Sequence, residues 1–194
     1  MKIHLGAGTI YLKNYINVDI APHYIVPDVP LEILAQNSTT VSNYYKHEFC
    51  KGSGFCVADV QSNLEKLPFN NGQAEEVILI QVLEHIPNYN LGTVLNEINR
   101  ILRIGGCFRV GVPDIKKIAK LLAKTIDNEE EDWFIRLLYG TQRNMWSHHH
   151  CGYTERTLKQ TLSMYGFGNF EVMPNINFYP SVHIKAFKNI EVLK

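Results

Sequence analysis

Cysteine is scarce in this chain, and the four that occur are poorly spaced for shared chemistry. Cys50, Cys56, Cys107 and Cys151 match no zinc-ligand spacing, and no leader segment precedes them. Reduced thiols in a cytoplasmic protein are therefore the expectation, and a disulfide framework is not. Long hydrophobic runs are missing too. The longest, Val77 to Leu83, is interrupted by Gln81 and falls far short of the roughly 20 apolar residues that span a bilayer, so no membrane partner is expected. Neither sign of charge dominates: 19 Lys and Arg balance 19 Asp and Glu, which makes nucleic acid an unexpected partner. Internal repeats and low-complexity tracts are absent. What remains is an ordinary globular composition over 194 residues, 45% apolar and 20% charged. That is enough for one domain over 1–194, burying about 70% of its unfolded surface. The charge balance conceals an asymmetry. Residues 1–97 carry 5 basic and 10 acidic side chains, and residues 98–194 carry 14 and 9. Ligands of unlike charge would account for this, and so would solvated helix faces.

The most informative stretch is residues 3–19. One apolar run, with Ile3 and Leu5, stops at Gly6-Ala7-Gly8; a second, from Tyr15 to Val18, stops at Asp19. Glycines let a backbone approach a ligand closely, and an acid at the tip of the next strand can accept hydrogen bonds from ribose hydroxyls. A plain strand-turn-strand is the competing reading of this stretch alone. A dinucleotide site of the oxidoreductase kind fits poorly, because it needs a third glycine and an acid about 20 residues on.

Further along, residues 20–56 are rich in proline, polar residues and glycine and read as an insertion, with short helical pieces at 31–36 and 41–49. A third strand is expected at 56–59, ending on Asp59, and Leu67 to Gly72 is a turn cluster. Val77 to Val82 reads as a strand buried on both faces. Apolar spacing predicts a helix over 91–103, ended by Gly105-Gly106, then a strand from Cys107 to Val112. Helices are expected at 115–124 and 129–139, and from a Thr154 cap to Tyr165. Strands at about 169–173 and 181–187 finish the chain. Strands alternating with helices imply an open, mostly parallel α/β sheet, with ligands beyond the carboxyl ends of the strands. Gly6, Gly8, Asp19, Asp59, Gln81 and Asp114 all fall near those ends.

The order of these pieces resembles the class I S-adenosylmethionine-dependent methyltransferases, most closely the small methyltransferase-type-11-like group. The resemblance rests on His-Leu-Gly-Ala-Gly at 4–8, Asn-Val-Asp at 17–19, and Ala-Asp-Val at 58–60 with Leu67-Pro68-Phe69. It rests further on Gln-Val-Leu-Glu-His at 81–85, Arg-Ile-Leu-Arg-Ile-Gly-Gly at 100–106, and Val112-Pro113-Asp114. It implies a doubly wound, mostly parallel seven-stranded sheet with helices on both faces, the Rossmann-like methyltransferase fold, and S-adenosylmethionine as cofactor. It also implies site roles. Gly6, Ala7 and Gly8 would lie against the methionine part, Asp19 would take the ribose hydroxyls, and Asp59 and Val60 the adenine edge. Gln81 and Val82 would lie near the sulfonium, with Leu83 to His85 bordering the transfer site. His4 joins the cofactor-binding candidates because it stands where the family often has an acid. The short span from Gly8 to Asp19 implies a very short first helix.

For the chemistry, His85, His149 and Tyr153 are the catalytic candidates. His85 follows the fourth strand at the site edge; a packing histidine is the plainer alternative. His148, His149 and His150 fall in an acceptor-side loop at about 140–153, which is also readable as an exposed loop. Adjacent histidines point in different directions, so no metal site is expected. Tyr153 and Trp146 would line an acceptor pocket or belong to the core. Arg143 would meet an anionic substrate or sit in solvent, and Asp114 would orient an acceptor or cap a turn. The expected reaction is methyl transfer to a small-molecule or glycan-linked acceptor. A non-catalytic cofactor-binding module and an RNA or protein methyltransferase are the alternatives.

Overall fold

The computed structural model describes residues 1–8, 10, 12–20, 58–125, 129–142, 146–175 and 180–189. The expected insertion at about 20–56 therefore lies almost wholly outside the described residues, as does Arg143.

Seven strands form one sheet in the order β3-β2-β1-β4-β5-β7-β6. They are β1 Lys2–Leu5, β2 Ile16–Asp19, β3 Val60–Gln61, β4 Ala74–Ile80, β5 Leu102–Pro113, β6 Phe167–Met173 and β7 Ser181–Lys188. The first five pair in parallel, and β7 lies antiparallel between β5 and β6. β1 has β2 on one side and β4 on the other, so the winding direction reverses between β1 and β4. Such a reversal opens a crevice at the carboxyl ends of the two strands.

Four helices complete the described elements: α1 Asn88–Ile101, α2 Ile115–Leu122, α3 Glu129–Tyr139 and α4 Glu155–Met164. Period-two alternation sends Ile3, Leu5, Val77, Leu79, Phe108 and Val110 to one face, where they pack with Leu91, Val94, Leu95 and Ile98 of α1 and Leu158 and Leu162 of α4. Ile78 and Ile80 point to the opposite face and meet Ile10 and Leu12. Thr154 caps α4 through a reciprocal pair with Thr157: its hydroxyl accepts from Thr157 N at 3.3 Å, and Thr157 Oγ1 accepts from Thr154 N at 2.8 Å. The Asp114 carboxylate caps α2, accepting from the amides of Lys116 and Lys117, which is the turn-capping role rather than an acceptor-orienting one.

Three boundaries differ from expectation for identifiable reasons. β4 ends at Ile80 because Gln81 adopts φ 57° and turns the chain out of the sheet. The helix expected over 91–103 ends at Ile101, and Gly105-Gly106 lie inside β5. Leu102 already pairs with Ala74, and the next register point joins Cys107 to Glu76, so the glycines absorb a bulge with Gly105 at φ 68°. The third strand starts at Val60 rather than ending at Asp59, because Val60 pairs with Val18 and Gln61 with Asp19.

Arg100 ties α1 to the turn before β4. Its guanidinium makes a bidentate pair with Glu97, at 2.7 Å to each oxygen, and donates to Phe69 O, Leu67 O and Asn71 Oδ1. Glu97 Oε1 in turn accepts from Leu67 N at 2.7 Å. Arg100→Ala is expected to lower stability by about 2 kcal/mol, since several charge-assisted bonds are lost together. Urea unfolding of both proteins measures it, and Glu97→Gln is expected to fall between them.

Candidate active site

The crevice between β1 and β4 is lined first by backbone. Gly6 stands at φ 66° and Gly8 at φ 54°, a region that side chains other than glycine rarely adopt. At Gly6 space is lacking as well, because a Cβ there would run into the Val82 side chain. The turn is pinned to β2: Ala7 N donates to Val18 O at 3.1 Å, and Gly8 N donates to Asp19 Oδ2 at 2.7 Å. Asp19, only 9% exposed, thus presents its carboxylate at the mouth of the glycine turn.

Beneath this turn Asn17 is fully buried and bonded on all sides. Its side-chain amide donates to Leu12 O, Tyr15 O and Asp59 Oδ2, and its backbone N donates to the same Asp59 oxygen at 2.7 Å. Its Oδ1 accepts from Leu12 N and lies 2.9 Å from His4 Nδ1. A carbonyl oxygen can only accept, so His4 Nδ1 carries the proton. His4 is fully buried, and desolvation pushes its pKa down to about 4, against opposing effects of Asn17 and Asp19. It supports the turn from below and lines neither cavity described next. Asp59 and Val60 line neither cavity as well.

Two cavities open at the strand ends. One, of about 710 Å³, is bordered by Asp19, Ile20, Leu64, Val82, His148 and His150. The other, of about 480 Å³, is bordered by Ala7, Gly8, Glu84, Trp133, Arg136 and His149. Gly6, Gln81, His85 and Trp146 border both.

The wall between them is built from the single turn Leu83–His85 and the segment 148–151. The Glu84 carbonyl accepts from His150 N at 2.7 Å and from Cys151 N at 3.1 Å, and His85 Nδ1 lies 2.8 Å from His148 O. His149 Nδ1 lies 3.0 Å from Leu137 O, and its ring meets that of His85 edge-on at 4.7 Å. Burial pushes the His85 pKa down to about 4, helped by His149, and lowers that of His149. The structure therefore brings His85 and His149 together. Tyr153 is instead 5% exposed and packed in the main core, with burial raising its pKa further. It borders neither cavity, so an acceptor-pocket role does not follow from its position. Glu84, named only within a motif in the sequence, is 1% exposed, and desolvation lifts its pKa to about 8.

The methyltransferase-domain family model, of type 11, matches residues 5–110. The chain belongs to this family. The match runs from the end of β1 through most of β5 and so includes the glycine turn, Asp19, Gln81 and the Leu83–His85 turn. Among solved structures the chain is similar to an S-adenosylmethionine-dependent methyltransferase of Methanosarcina mazei. The identity is 17% and the TM-score 0.57, over 98% of this chain and 92% of that one. It is also similar to the 1,6-didemethyltoxoflavin-N1-methyltransferase of Burkholderia thailandensis, solved with 1,6-didemethyltoxoflavin and S-adenosylhomocysteine. There the identity is 16% and the TM-score 0.55, over 97% of this chain and 71% of that one. These likenesses show the Rossmann-like methyltransferase fold. No curated protein matches the sequence.

In this methyltransferase-family chain the buried His4 makes stability depend on pH. Its folded pKa, about 4, lies below the ordinary value near 6.5, so the unfolded chain takes up the proton first. Its contribution is complete above about pH 6.5 and is lost as pH falls toward 4. His4→Gln is expected to flatten the slope of unfolding free energy between these limits by up to about 1.4 kcal/mol per pH unit. Urea unfolding at a series of pH values checks this; identical slopes would contradict it.

Proposed function

We propose that the protein binds S-adenosylmethionine across the two cavities and transfers its methyl group to a small-molecule acceptor. The observation that carries this reading is the meeting of the cavities at Gly6, Gln81 and His85. A cofactor laid with its adenosine in the larger cavity would bring its sulfonium to this junction, with the methyl directed into the smaller one. Asp19, bordering the larger cavity, would take the ribose hydroxyls. The narrow clearance over Gly6 would admit the methionine part. Val82 would flank the cofactor and Gln81 would lie by the sulfonium. Asp59 and Val60 border neither cavity, so Asp59 would serve the adenine side through Asn17, as His4 does, rather than by touching the cofactor.

The reaction is an in-line displacement in which an acceptor lone pair attacks the methyl carbon and the sulfur leaves as a neutral thioether. The sulfonium activates its own methyl, so the protein chiefly supplies alignment at about 3–3.5 Å. His85 with a pKa near 4 is a weak base at neutral pH, and with His149 it is better suited to orienting an acceptor than to deprotonating it unaided. The 480 Å³ cavity is within the range for small ligands. A glycan-linked acceptor would enter by its terminal group. Among the described residues no helix is long and apolar enough to cross a membrane.

Calorimetric titration with S-adenosylmethionine and S-adenosylhomocysteine tests the proposal. Both are expected to bind the wild type. Asp19→Ala is expected to weaken binding at least about tenfold, by loss of a charge-assisted bond, and Gly6→Ala to abolish it through collision with Val82. Failure of the wild type to bind at millimolar ligand would remove the reading. Binding without turnover across hydroxyl, amine and carboxylate acceptors would favour a non-catalytic module.

A further inference from the structure

Three side chains in the smaller cavity stand in an arrangement that methyl transfer by alignment alone does not require. Glu84, His85 and His149 each offer one ligand-type atom, and all three atoms lie within 4.8 Å of one another. Glu84 is 1% exposed, and neither of its carboxylate oxygens has a hydrogen-bond partner. The ionised form of an acid in that position is favoured only when a cation meets it. The histidines are set up in a matching way. His85 Nδ1 lies 2.8 Å from His148 O and His149 Nδ1 3.0 Å from Leu137 O. A carbonyl only accepts, so both rings carry their proton on Nδ1 and keep the Nε2 lone pair for another partner. Carbonyls that fix the tautomer in this way are the usual support of metal-binding imidazoles.

We propose that Glu84, His85 and His149 bind one divalent first-row transition-metal ion, with its open coordination positions facing the acceptor cavity. Two imidazoles and one carboxylate suit Zn²⁺ well, whereas Mg²⁺ and Ca²⁺ favour all-oxygen sets. Donors bound tetrahedrally at about 2.0–2.1 Å sit roughly 3.4 Å apart, so the triangle would close on binding, with no side-chain hydrogen bond of Glu84 to be broken. The sequence conceals this set because His149 is remote from Glu84-His85, while its neighbours His148 and His150 turn to the larger cavity.

The role of the ion rests on the methyl-transfer reading; its binding does not. An acceptor hydroxyl held by the ion is more acidic than in water. Its proton passes to solvent water, the oxygen lone pair forms the bond to the methyl carbon, and the pair of the broken carbon–sulfur bond stays on sulfur. This supplies the activation that two weakly basic histidines do not, and it selects hydroxyl-bearing acceptors.

The test uses the full chain, stripped with chelator, dialysed, and titrated with ZnCl₂ alone by calorimetry. One equivalent is expected to bind with submicromolar affinity, and Co²⁺ in its place is expected to give visible ligand-field bands. Glu84→Gln and His149→Gln are each expected to lose at least about tenfold in affinity, with His150→Ala unchanged. Melting in the presence of chelator checks folding, and Glu84→Gln is expected to melt close to wild type because an amide of the same shape replaces a buried acid that burial keeps from ionising. Absence of binding by the wild type, wild-type affinity in both Glu84→Gln and His149→Gln, or a loss in His150→Ala as large as in His149→Gln would each overturn the proposal. S-adenosylmethionine titrated into the chelator-treated wild type reports on the cofactor separately, so one reading can fail while the other stands.

Discussion

Asn17 holds the strand ends beside the glycine turn together. It sits at 0% exposure on β2 and links the β1 side through His4, the intervening loop through Leu12 and Tyr15, and the approach to β3 through Asp59. A buried amide is favourable only when its donors and acceptors are met, and then it specifies a single arrangement. Ten residues separate Gly8 from Asp19, too few for a substantial helix to brace the glycine turn. Asn17 provides that brace by hydrogen bonding instead of by helix packing, and the Gly8–Asp19 bond completes it from above.

On this frame the site divides into two kinds of surface. The side proposed for the cofactor is main chain at Gly6 and Gly8 with one carboxylate, Asp19. The side proposed for the acceptor is side chain: Glu84, His85, His149, Trp146, and Arg136 on α3. Burial acts on the two sides differently. At His4 it produces a neutral, hydrogen-bonded strut. At Glu84 it raises the pKa to about 8 and leaves both side-chain oxygens without a hydrogen-bond partner among the described residues, facing a cavity. Equal burial thus yields support in one place and latent chemistry in another, and what separates them is whether a neighbouring amide is within reach.

Most of the frame was legible in the residues. Ile3 and Leu5, Val77 to Ile80, the Thr154 cap and the helix at 129–139 follow local patterns that tertiary packing leaves in place. The glycine turn and Asp19 were legible because backbone approach and a strand-end acid each leave a short signature. What local patterns missed has non-local causes. Gly105-Gly106 look like a helix stop, yet pairing of Leu102 with Ala74 draws them into β5. Gln81 reads as a strand residue because nothing in its type announces φ 57°. Tyr153 follows the histidine loop in sequence but turns into the core. The convergence of Glu84 with His149 depends on hydrogen bonds between segments far apart in the chain, which no spacing rule encodes.

The anchorage of the acceptor wall relies heavily on carbonyl oxygens. Glu84 O holds His150 and Cys151, Tyr139 O receives the His149 amide, and Ile86 O lies within bonding distance of the Cys151 thiol. A peptide carbonyl is the same whatever side chain it carries. The wall can therefore exchange many of its residues and still dock at the same height above the cofactor cleft. On the proposed reading, acceptor preference would be decoupled from folding: the surface proposed to read the substrate would be free to diverge, while the surface beside β1 is held by glycine conformation and the hydrogen bonds of Asn17.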